Sequence, residues 1–293
     1  MRPSAAAVGL VAFATCCVLG FYGYRYCQHA ETFKECAKTS KQCRREMWRS
    51  KRRARKDQLL QAKKLARSQA LAAERTEMTE EQKNELRERI RMQRVEQYQK
   101  LEDAQLRGVR VVVDLAFAVD QTTRERNSIL KQLGCVYGYL KSCPLDNLVS
   151  LHLASYTQDL AAVCAQHGAL SWKIERHEEP LEKLYDAEEI VYLSPDSDNV
   201  LETIDPACVY VVGGIVDRSV RKGQTISKAA ERGVQTARLP LQEHFAGPGA
   251  RVRTHIMNID SVIIALNEVA NHGDWGRAFE RAVPVRIACR KGA

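Results

Sequence analysis

Apolar and polar positions divide the chain into two parts that meet near Gly108. Beyond that glycine, short runs rich in Val, Ile and Leu recur between turn-forming residues, which is the pattern of buried strands. The predicted strands are Val109–Leu115, Leu148–Ala154, Glu189–Ser194, Cys208–Gly213 and Gln235–Leu239. The predicted helices are Thr123–Leu133, Asn199–Ile204, Ile226–Arg232 and Ile256–Ala270. Strands that alternate with helices predict a parallel α/β sheet whose site lies at the carboxyl ends of its strands.

The stretch before Gly108 predicts helix of a different kind. Neither Gly nor Pro occurs from Tyr24 to Arg107, and strong helix formers dominate from Arg55 onward. The apolar side chains are sparse and fit a heptad repeat only loosely. We therefore expect one or two long, exposed helices rather than a coiled coil.

Charge separates the same two parts. The 293 residues carry a formal net charge of +9. Residues 34–110 hold 23 basic and 12 acidic side chains, whereas residues 111–293 hold 20 basic and 23 acidic ones. We therefore expect a polyanion to bind the predicted helices first. The densest cationic run is Arg44–Lys56, RREMWRSKRRARK, which also resembles a nuclear localisation signal.

An uncharged apolar stretch, Ala5–Tyr24, precedes the basic part. It is about as long as a membrane-spanning helix, which needs about 20 residues, but it is rich in Gly and Ala. Three interpretations stay open: a membrane anchor with the remaining chain in the cytosol, a mitochondrial targeting segment, and neither of these. The last interpretation leaves a cytoplasmic or nuclear location.

Cysteine and histidine form no recognisable metal site in the sequence. The ten Cys include no CxxC pair, and none of the seven His stands with Cys or carboxylates at ligand spacing. We expect buried free thiols in a reducing compartment, and no metal.

The carboxyl-terminal part lacks the GxGxxG, GxxxxGK[ST] and GxSxG signatures of common nucleotide sites and hydrolases. Its most distinctive string is Val212–Gly223, VGGIVDRSVRKG, directly after a predicted strand. Gly213 and Gly214 would allow close approach of the backbone to a ligand, with Asp217 just beyond. A tight turn followed by a solvated helix start explains the same string without any ligand.

Longer strings carry a family resemblance. Tyr192–Pro206 (YLSPDSDNVLETIDP), Val209–Pro240 with its YVVGGIVD and ARLPL, and Gly273–Pro284 (GDWGRAFERAVP) resemble the tRNA position-9 N1-purine methyltransferases of the SPOUT class. The resemblance implies a SPOUT-type parallel α/β sheet with a carboxyl-terminal trefoil knot, preceded by a long basic helical extension that holds tRNA. The implied domains are an apolar anchor or targeting segment (1–33), the basic extension (34–107) and the methyltransferase domain (108–293).

The resemblance also implies a reaction and its residues. Such enzymes transfer the methyl group of S-adenosylmethionine to N1 of guanosine, and in some members of adenosine, at tRNA position 9. Asp217 matches the acidic residue proposed there as general base. The implied cofactor-binding residues are Leu193, Ser194, Gly213, Gly214, Arg218, Ser219, Val220, Arg221, Lys222, Leu239, Pro240, Thr254, His255 and Ile256. The residues expected to contact tRNA are Arg44, Arg45, Lys51, Arg52, Arg53, Arg55 and Lys56.

Two alternatives to transfer onto guanosine stay open. The first is transfer to adenosine or to both purines, because adenosine N1 carries no proton and needs no base. The second is a non-catalytic RNA-binding subunit of a tRNA-processing complex. We expect a monomer that binds tRNA, with protein partners if it is mitochondrial and with membrane contact through residues 5–24 if they form an anchor.

Overall fold

The structure, a computed structural model, describes residues 42–216, 223–245, 250–252, 256–283 and 288–290. By its internal contacts the chain divides into two units, Met1–Leu86 and Arg87–Ala293.

Two long helices occupy the described part of the basic region, as the sequence predicts. Helix α1 covers residues 42–77 with every side chain exposed, and α2 is Glu80–Arg107. The helix breaks at residues 78–79, between α1 and α2, without a Gly or a Pro. Thr79 and Gln82 form a reciprocal cap there, which starts the second helix. Thr79 N donates to Gln82 Oε1 at 2.9 Å, and Gln82 N donates to Thr79 Oγ1 at 3.3 Å. Such a cap satisfies the free amides of a new helix start.

The second unit begins inside α2, earlier than the Gly108 boundary expected from the sequence. Leu101 and Ala104 are buried in the core of that unit, so the carboxyl half of α2 packs with it. The helix ends at Gly108, where a Cβ would lie 2.6 Å from the Ala104 carbonyl oxygen and 2.8 Å from Ser150 N. Only glycine allows the chain to turn there into the first strand.

The second unit is built on a six-stranded parallel sheet, which confirms the predicted fold class. Its strand order is β3-β2-β1-β5-β4-β6, and every pairing is parallel. The strands are β1 Arg110–Asp114, β2 Ser150–Ala154, β3 Glu175–Arg176, β4 Ile190–Leu193, β5 Val209–Gly213 and β6 Gln235–Ala237. A separate antiparallel pair joins β7 Ala250–Val252 to β8 Ala288–Arg290.

Helices cover both faces of the sheet. They are α3 Thr123–Ser142, α4 Gln158–Gln166, α5 Leu181–Leu184, α6 Gln224–Glu231, α7 Leu241–His244, α8 Ile259–His272 and α9 Trp275–Ala282, with 3₁₀ turns at Leu115–Ala118 and Ala169–Ser171. Alternate strand residues face opposite ways. Val111 and Val113 therefore join the larger core with α3, α4 and α8, whereas Val112 joins a smaller core with α5 and α6.

The five predicted strands are all present, within about two residues at each end as expected for such boundaries. The predicted helix Asn199–Ile204 is wrong. Val200 instead forms an isolated parallel bridge with Arg238. Leu201 N donates to Arg238 O and Arg238 N donates to Asn199 O, both at 2.8 Å. Pairing with the end of β6 therefore outweighs the weak local helix preference.

Two further predictions have mixed outcomes. Cys143 and Cys164 are buried free thiols as expected, whereas Cys43 and Cys135 are free but exposed. The carboxyl-terminal knot depends on the chain path through 217–222, 246–249 and 253–255, which lie outside the described residues, and it stays a prediction.

Candidate cofactor pocket at the carboxyl edge of the sheet

A pocket opens where β4, β5 and β6 end. It is lined by Leu193, Ser194, Pro195, Val212, Ala237, Arg238, Leu239, Leu241, Gln242, Met257 and Val262. Its lining is mostly apolar with a few polar groups, those of Ser194, Arg238 and Gln242, which is the usual composition of small-molecule sites. The carboxyl edge of a parallel sheet is also where such folds bind ligands.

The polar wall of this pocket is held by hydrogen bonds between the loop after β4 and strand β6. Ser194 N donates to Ala237 O at 2.9 Å, and Ser194 Oγ accepts from Asp196 N at 3.3 Å. The hydroxyls of Ser197 and Thr236 lie 3.0 Å apart. Two of these contacts tie residues just after β4 to the last two residues of β6, so the loop is held by the protein itself.

An ion pair closes the wall next to α7. The Arg238 guanidinium donates to both carboxylate oxygens of Glu243, at 2.6 and 2.9 Å. Because these bonds favour the ionised acid, Arg238 lowers the pKa of Glu243 below its usual value. An ion pair with two hydrogen bonds fixes the relative orientation of the two side chains as well as their separation. It therefore holds α7 against the end of β6.

The two glycines after β5 have different surroundings. A Cβ at Gly214 would lie 2.9 Å from the Asp114 carbonyl oxygen and 3.2 Å from Leu115 Cδ2. A Cβ at Gly213 would meet only side-chain atoms, at 3.6 Å or more. A close approach to the backbone of β1 therefore requires glycine at position 214.

Asp114 forms a buried polar cluster beside these glycines. It ends β1, pairs with Gly213 in the sheet register, and is 0% exposed. Its Oδ1 accepts from Ala116 N at 3.0 Å. Its Oδ2 accepts from Tyr192 OH and Lys228 Nζ, each at 2.9 Å, and from Arg232 at 3.4 Å. Burial, followed by the charge of Asp114, raises the pKa of Tyr192 well above its usual value, so its phenol remains a donor.

The structure brings several of the predicted cofactor residues together. Leu193, Ser194 and Leu239 line the pocket. Gly213 and Gly214 directly follow the lining residue Val212, whereas Pro240 lies between Leu239 and Leu241, and Ile256 precedes Met257. The remaining predictions, Asp217, Arg218, Ser219, Val220, Arg221, Lys222, Thr254 and His255, lie outside the described residues.

Sequence reasoning missed part of this edge of the sheet. Arg238 and Gln242 line the pocket but were not predicted to bind a cofactor. The Asp114 cluster was missed as well, although an acid that closes a buried β-branched run is a detectable signal. The sequence gives no such signal for Lys228 and Arg232, because it does not show which side of their helix packs against the sheet.

The residues predicted to contact tRNA lie on α1. All seven side chains are exposed, and α1 runs without interruption through Arg44 and Lys56. The Arg52 guanidinium lies 5.5 Å from the centre of the exposed Trp48 ring. The cationic run is thus presented to solvent with an aromatic surface beside it.

Across the five described ranges, no cluster of three or more His, Cys, Asp or Glu is arranged to hold a metal ion. In the part of the chain that the structure describes, no helix is both long and apolar enough to span a bilayer. The apolar segment 5–24 lies outside that part, so its role stays a prediction.

Comparisons with known proteins agree with this geometry. A family model described as tRNA (guanine(9)-N(1))-methyltransferase TRM10/TRM10A matches residues 34–288. The tRNA methyltransferase 10 homolog B of Bos taurus is 32% identical over 194 residues, covering 64% of this chain and 61% of that protein. The tRNA (guanine(9)-N1)-methyltransferase of Eremothecium gossypii is 31% identical over 185 residues, covering 61% of this chain and 59% of that protein.

Solved structures show the same likeness. The crystal structure of full-length spTrm10 in complex with SAH has a TM-score of 0.53 and 25% identity, covering 60% of this chain and 94% of that chain. The crystal structure of spTrm10(74) has a TM-score of 0.52 and 26% identity, with the same coverage. The chain spans about three fifths of the length of the curated relatives it matches. Because the family model covers both the basic helices and most of the α/β unit, the chain belongs to the TRM10/TRM10A family of tRNA (guanine(9)-N(1))-methyltransferases.

Proposed function

We propose that this protein transfers the methyl group of S-adenosylmethionine to N1 of guanosine at position 9 of tRNA. The proposal rests on the pocket at the ends of β4, β5 and β6. Leu193, Ser194 and Leu239 line this pocket. These residues are the ones that the family resemblance assigns to the cofactor. Relatives with about 30% identity bear the name of this activity.

The residues of the pocket fit this cofactor chemically. Leu193, Leu239 and Met257 offer apolar surface suited to an adenine ring, and Ser194 and Gln242 offer polar groups for the ribose and amino-acid portions. When bound, S-adenosylmethionine supplies a methyl group activated by its sulfonium. The transfer needs no metal, because alignment of donor and acceptor lowers most of the barrier.

Asp217 is the proposed general base. Guanosine N1 carries a proton that must leave when the methyl group arrives, and a carboxylate within hydrogen-bond reach accepts it. N1 lies on the Watson–Crick edge, so the base must be unpaired and unstacked first. In our proposal the basic residues of α1, from Arg44 to Lys56, bind the phosphates around the target and hold the tRNA while this happens.

The experiment uses the purified full chain, labelled S-adenosylmethionine, and two tRNA transcripts that differ only in having G or A at position 9. We expect mass spectrometry to find 1-methylguanosine at position 9 without any added protein. Methylation of the A transcript alone would establish the adenosine alternative. Cofactor binding and tRNA binding without transfer to either transcript would establish the non-catalytic RNA-binding alternative.

Substitution of the base tests its role within this reaction. We expect Asp217→Asn to lower kcat on the G transcript by about 100-fold while S-adenosylmethionine affinity is retained. The matched control is Asp186→Asn, an exposed aspartate on a turn, which we expect to change neither quantity. An unchanged kcat in Asp217→Asn would remove the base assignment. Flotation with lipid vesicles tests the separate prediction that residues 5–24 contact a membrane.

A further inference from the structure

Asp114 joins the two chain segments that flank residues 217–222. Its main-chain oxygen accepts a 2.9 Å hydrogen bond from Gly214 N, shortly before the flanked segment. Its carboxylate accepts from Lys228 and Arg232, on or just after the helix α6 that begins at Gln224, shortly after the segment. One residue at the end of β1 therefore contacts both flanks.

The side chains around Asp114 are themselves fixed by further contacts. Lys228 Nζ lies 4.0 Å from the centre of the Phe117 ring, which is a cation–π contact. A second nitrogen of Arg232 lies 2.9 Å from Glu182 Oε2 on α5. Lys228 and Arg232 are only 18% and 15% exposed, so solvent screens their attraction to Asp114 weakly.

A stability role alone does not account for this cluster. Its neighbours on the same face of the sheet, Val112 and Val211, are apolar and pack against α5 and α6 without charge. Replacing a buried ion pair by apolar side chains of similar volume is often neutral or stabilising. Hydrogen bonds to a charged group have a preferred geometry, so the charged cluster fixes how β1, β4 and α6 are oriented and how far apart they lie.

We infer that Asp114 is a positioning residue that sets the separation between Gly214 and α6, the two segments that flank the proposed base Asp217 in the sequence. The effect on methyl transfer rests on the proposed function. The structural effect, a restraint on the flanks of residues 217–222, does not.

Hydrogen exchange of the full chain, followed by mass spectrometry, tests the restraint directly. Asp114→Asn keeps the side-chain shape and removes the charge. We expect it to raise exchange in the peptide covering residues 214–223 by at least about ten-fold while peptides of α3 and α8 stay within two-fold, since the effect is local. The matched control is Lys173→Met, which removes a 2.9 Å ion pair with Glu102 far along the sequence and should leave residues 214–223 unchanged.

Companion variants keep the test decisive if Asp114→Asn does not fold. Lys228→Met and Arg232→Gln should each raise the exchange rate in the same peptide. The single variant Lys228→Arg should keep the wild-type rate, because it retains the positive charge. Two outcomes would overturn the inference: exchange at residues 214–223 that is already at the free-chain rate in the wild type, or a rise that is equal in all peptides.

Methyl transfer supplies a second readout. We expect Asp114→Asn to lower kcat by about ten-fold or more with KM for tRNA nearly unchanged, because positioning acts on the transition state. The double variant Asp114→Asn, Lys228→Met should be no worse than Asp114→Asn alone, since both side chains act as one unit. If the wild type transfers no methyl group, the proposed function fails, and the exchange measurement still decides the positioning role.

Discussion

The imidazole rings of His152 and His177 lie parallel, with Nδ1 of His152 3.1 Å from Nε2 of His177. The Ser150 hydroxyl donates to Gln105 Oε1 at 3.0 Å, so it must accept from His152 Nε2–H at 2.8 Å. Nδ1 of His152 is then left as an acceptor for the His177 ring and for Tyr185 OH at 3.2 Å. A neutral His152 that carries its proton on Nε2 satisfies all of these contacts.

The first prediction is a loss of stability in mild acid caused by His152. Burial, followed by the charges of His177 and Arg110, lowers the pKa of His152 to about 4. The unfolded chain, with an ordinary pKa of about 6.5, binds more protons between these values, so stability falls as pH drops from 6.5 to 4. Allowing for partial exposure, we expect a contribution of about 2 kcal/mol.

Urea unfolding at pH 7 and pH 4.5 measures this loss. In His152→Gln, which keeps a donor for Ser150, the fall in unfolding free energy between the two pH values should be smaller than in the wild type. His167→Gln is the control, because that histidine is exposed and its ring lies 3.1 Å from Asn127 Oδ1, away from the His152 cluster. An identical pH dependence in His152→Gln and the wild type would contradict the prediction.

The second prediction concerns the hydrogen bond that joins α3 to α8. Tyr139 OH donates to Glu268 Oε1 at 2.6 Å, and Glu268 is 8% exposed. Burial and this bond raise the pKa of Tyr139, so it stays a donor at any physiological pH. Tyr139→Phe should lower the unfolding free energy by about 1–3 kcal/mol, because the buried carboxylate loses that donor.

Thermal or urea unfolding measures the Tyr139→Phe effect. Tyr98→Phe is a matched control, since Lys141 contacts the Tyr98 ring, which phenylalanine retains. We expect the control to lie within about 0.5 kcal/mol of the wild type. Equal stability of the two variants would show that the Glu268 carboxylate finds other donors.

The third prediction is that an alanine substitution costs more stability at Gly214 than at the adjacent Gly213. Gly214→Ala should destabilise the α/β unit by about 1–3 kcal/mol, because its Cβ meets backbone atoms of β1 that cannot move aside. Gly213→Ala meets only side-chain atoms at ordinary contact distance, so it should cost less than about 1 kcal/mol. Melting temperatures of the two variants make the comparison, and a larger loss in Gly213→Ala would contradict it.

The fourth prediction concerns the basic face of α1. Replacing Arg44, Arg45, Lys51, Arg52, Arg53, Arg55 and Lys56 with Gln keeps helix propensity and removes seven charges. The slope of log affinity for tRNA against log salt should flatten by up to about 5–6 if all seven contact phosphates. Lys183→Gln, an exposed charge outside α1, should change the slope by less than about one. An unchanged slope in the seven-residue variant would show that α1 does not bind the RNA backbone.

The sequence by itself predicted the alternation of strands and helices, the parallel sheet and the long exposed basic helices. These features follow from local patterns: β-branched runs between turn residues, and a long stretch without helix breakers. The same patterns failed at Asn199–Ile204, because its main-chain partner, Arg238, lies far along the chain.

Only the tertiary structure decided which residues meet. A pattern can place Asp114 at the end of a strand, but it cannot show that α6 turns Lys228 and Arg232 toward that carboxylate. Likewise, a Gly-Gly pair indicates close approach, but the partner at Gly214 is the backbone of β1. Hydrophobic periodicity is local and can be read from the sequence, whereas buried charge pairs and backbone contacts depend on segments about 100 residues apart, which only packing brings together.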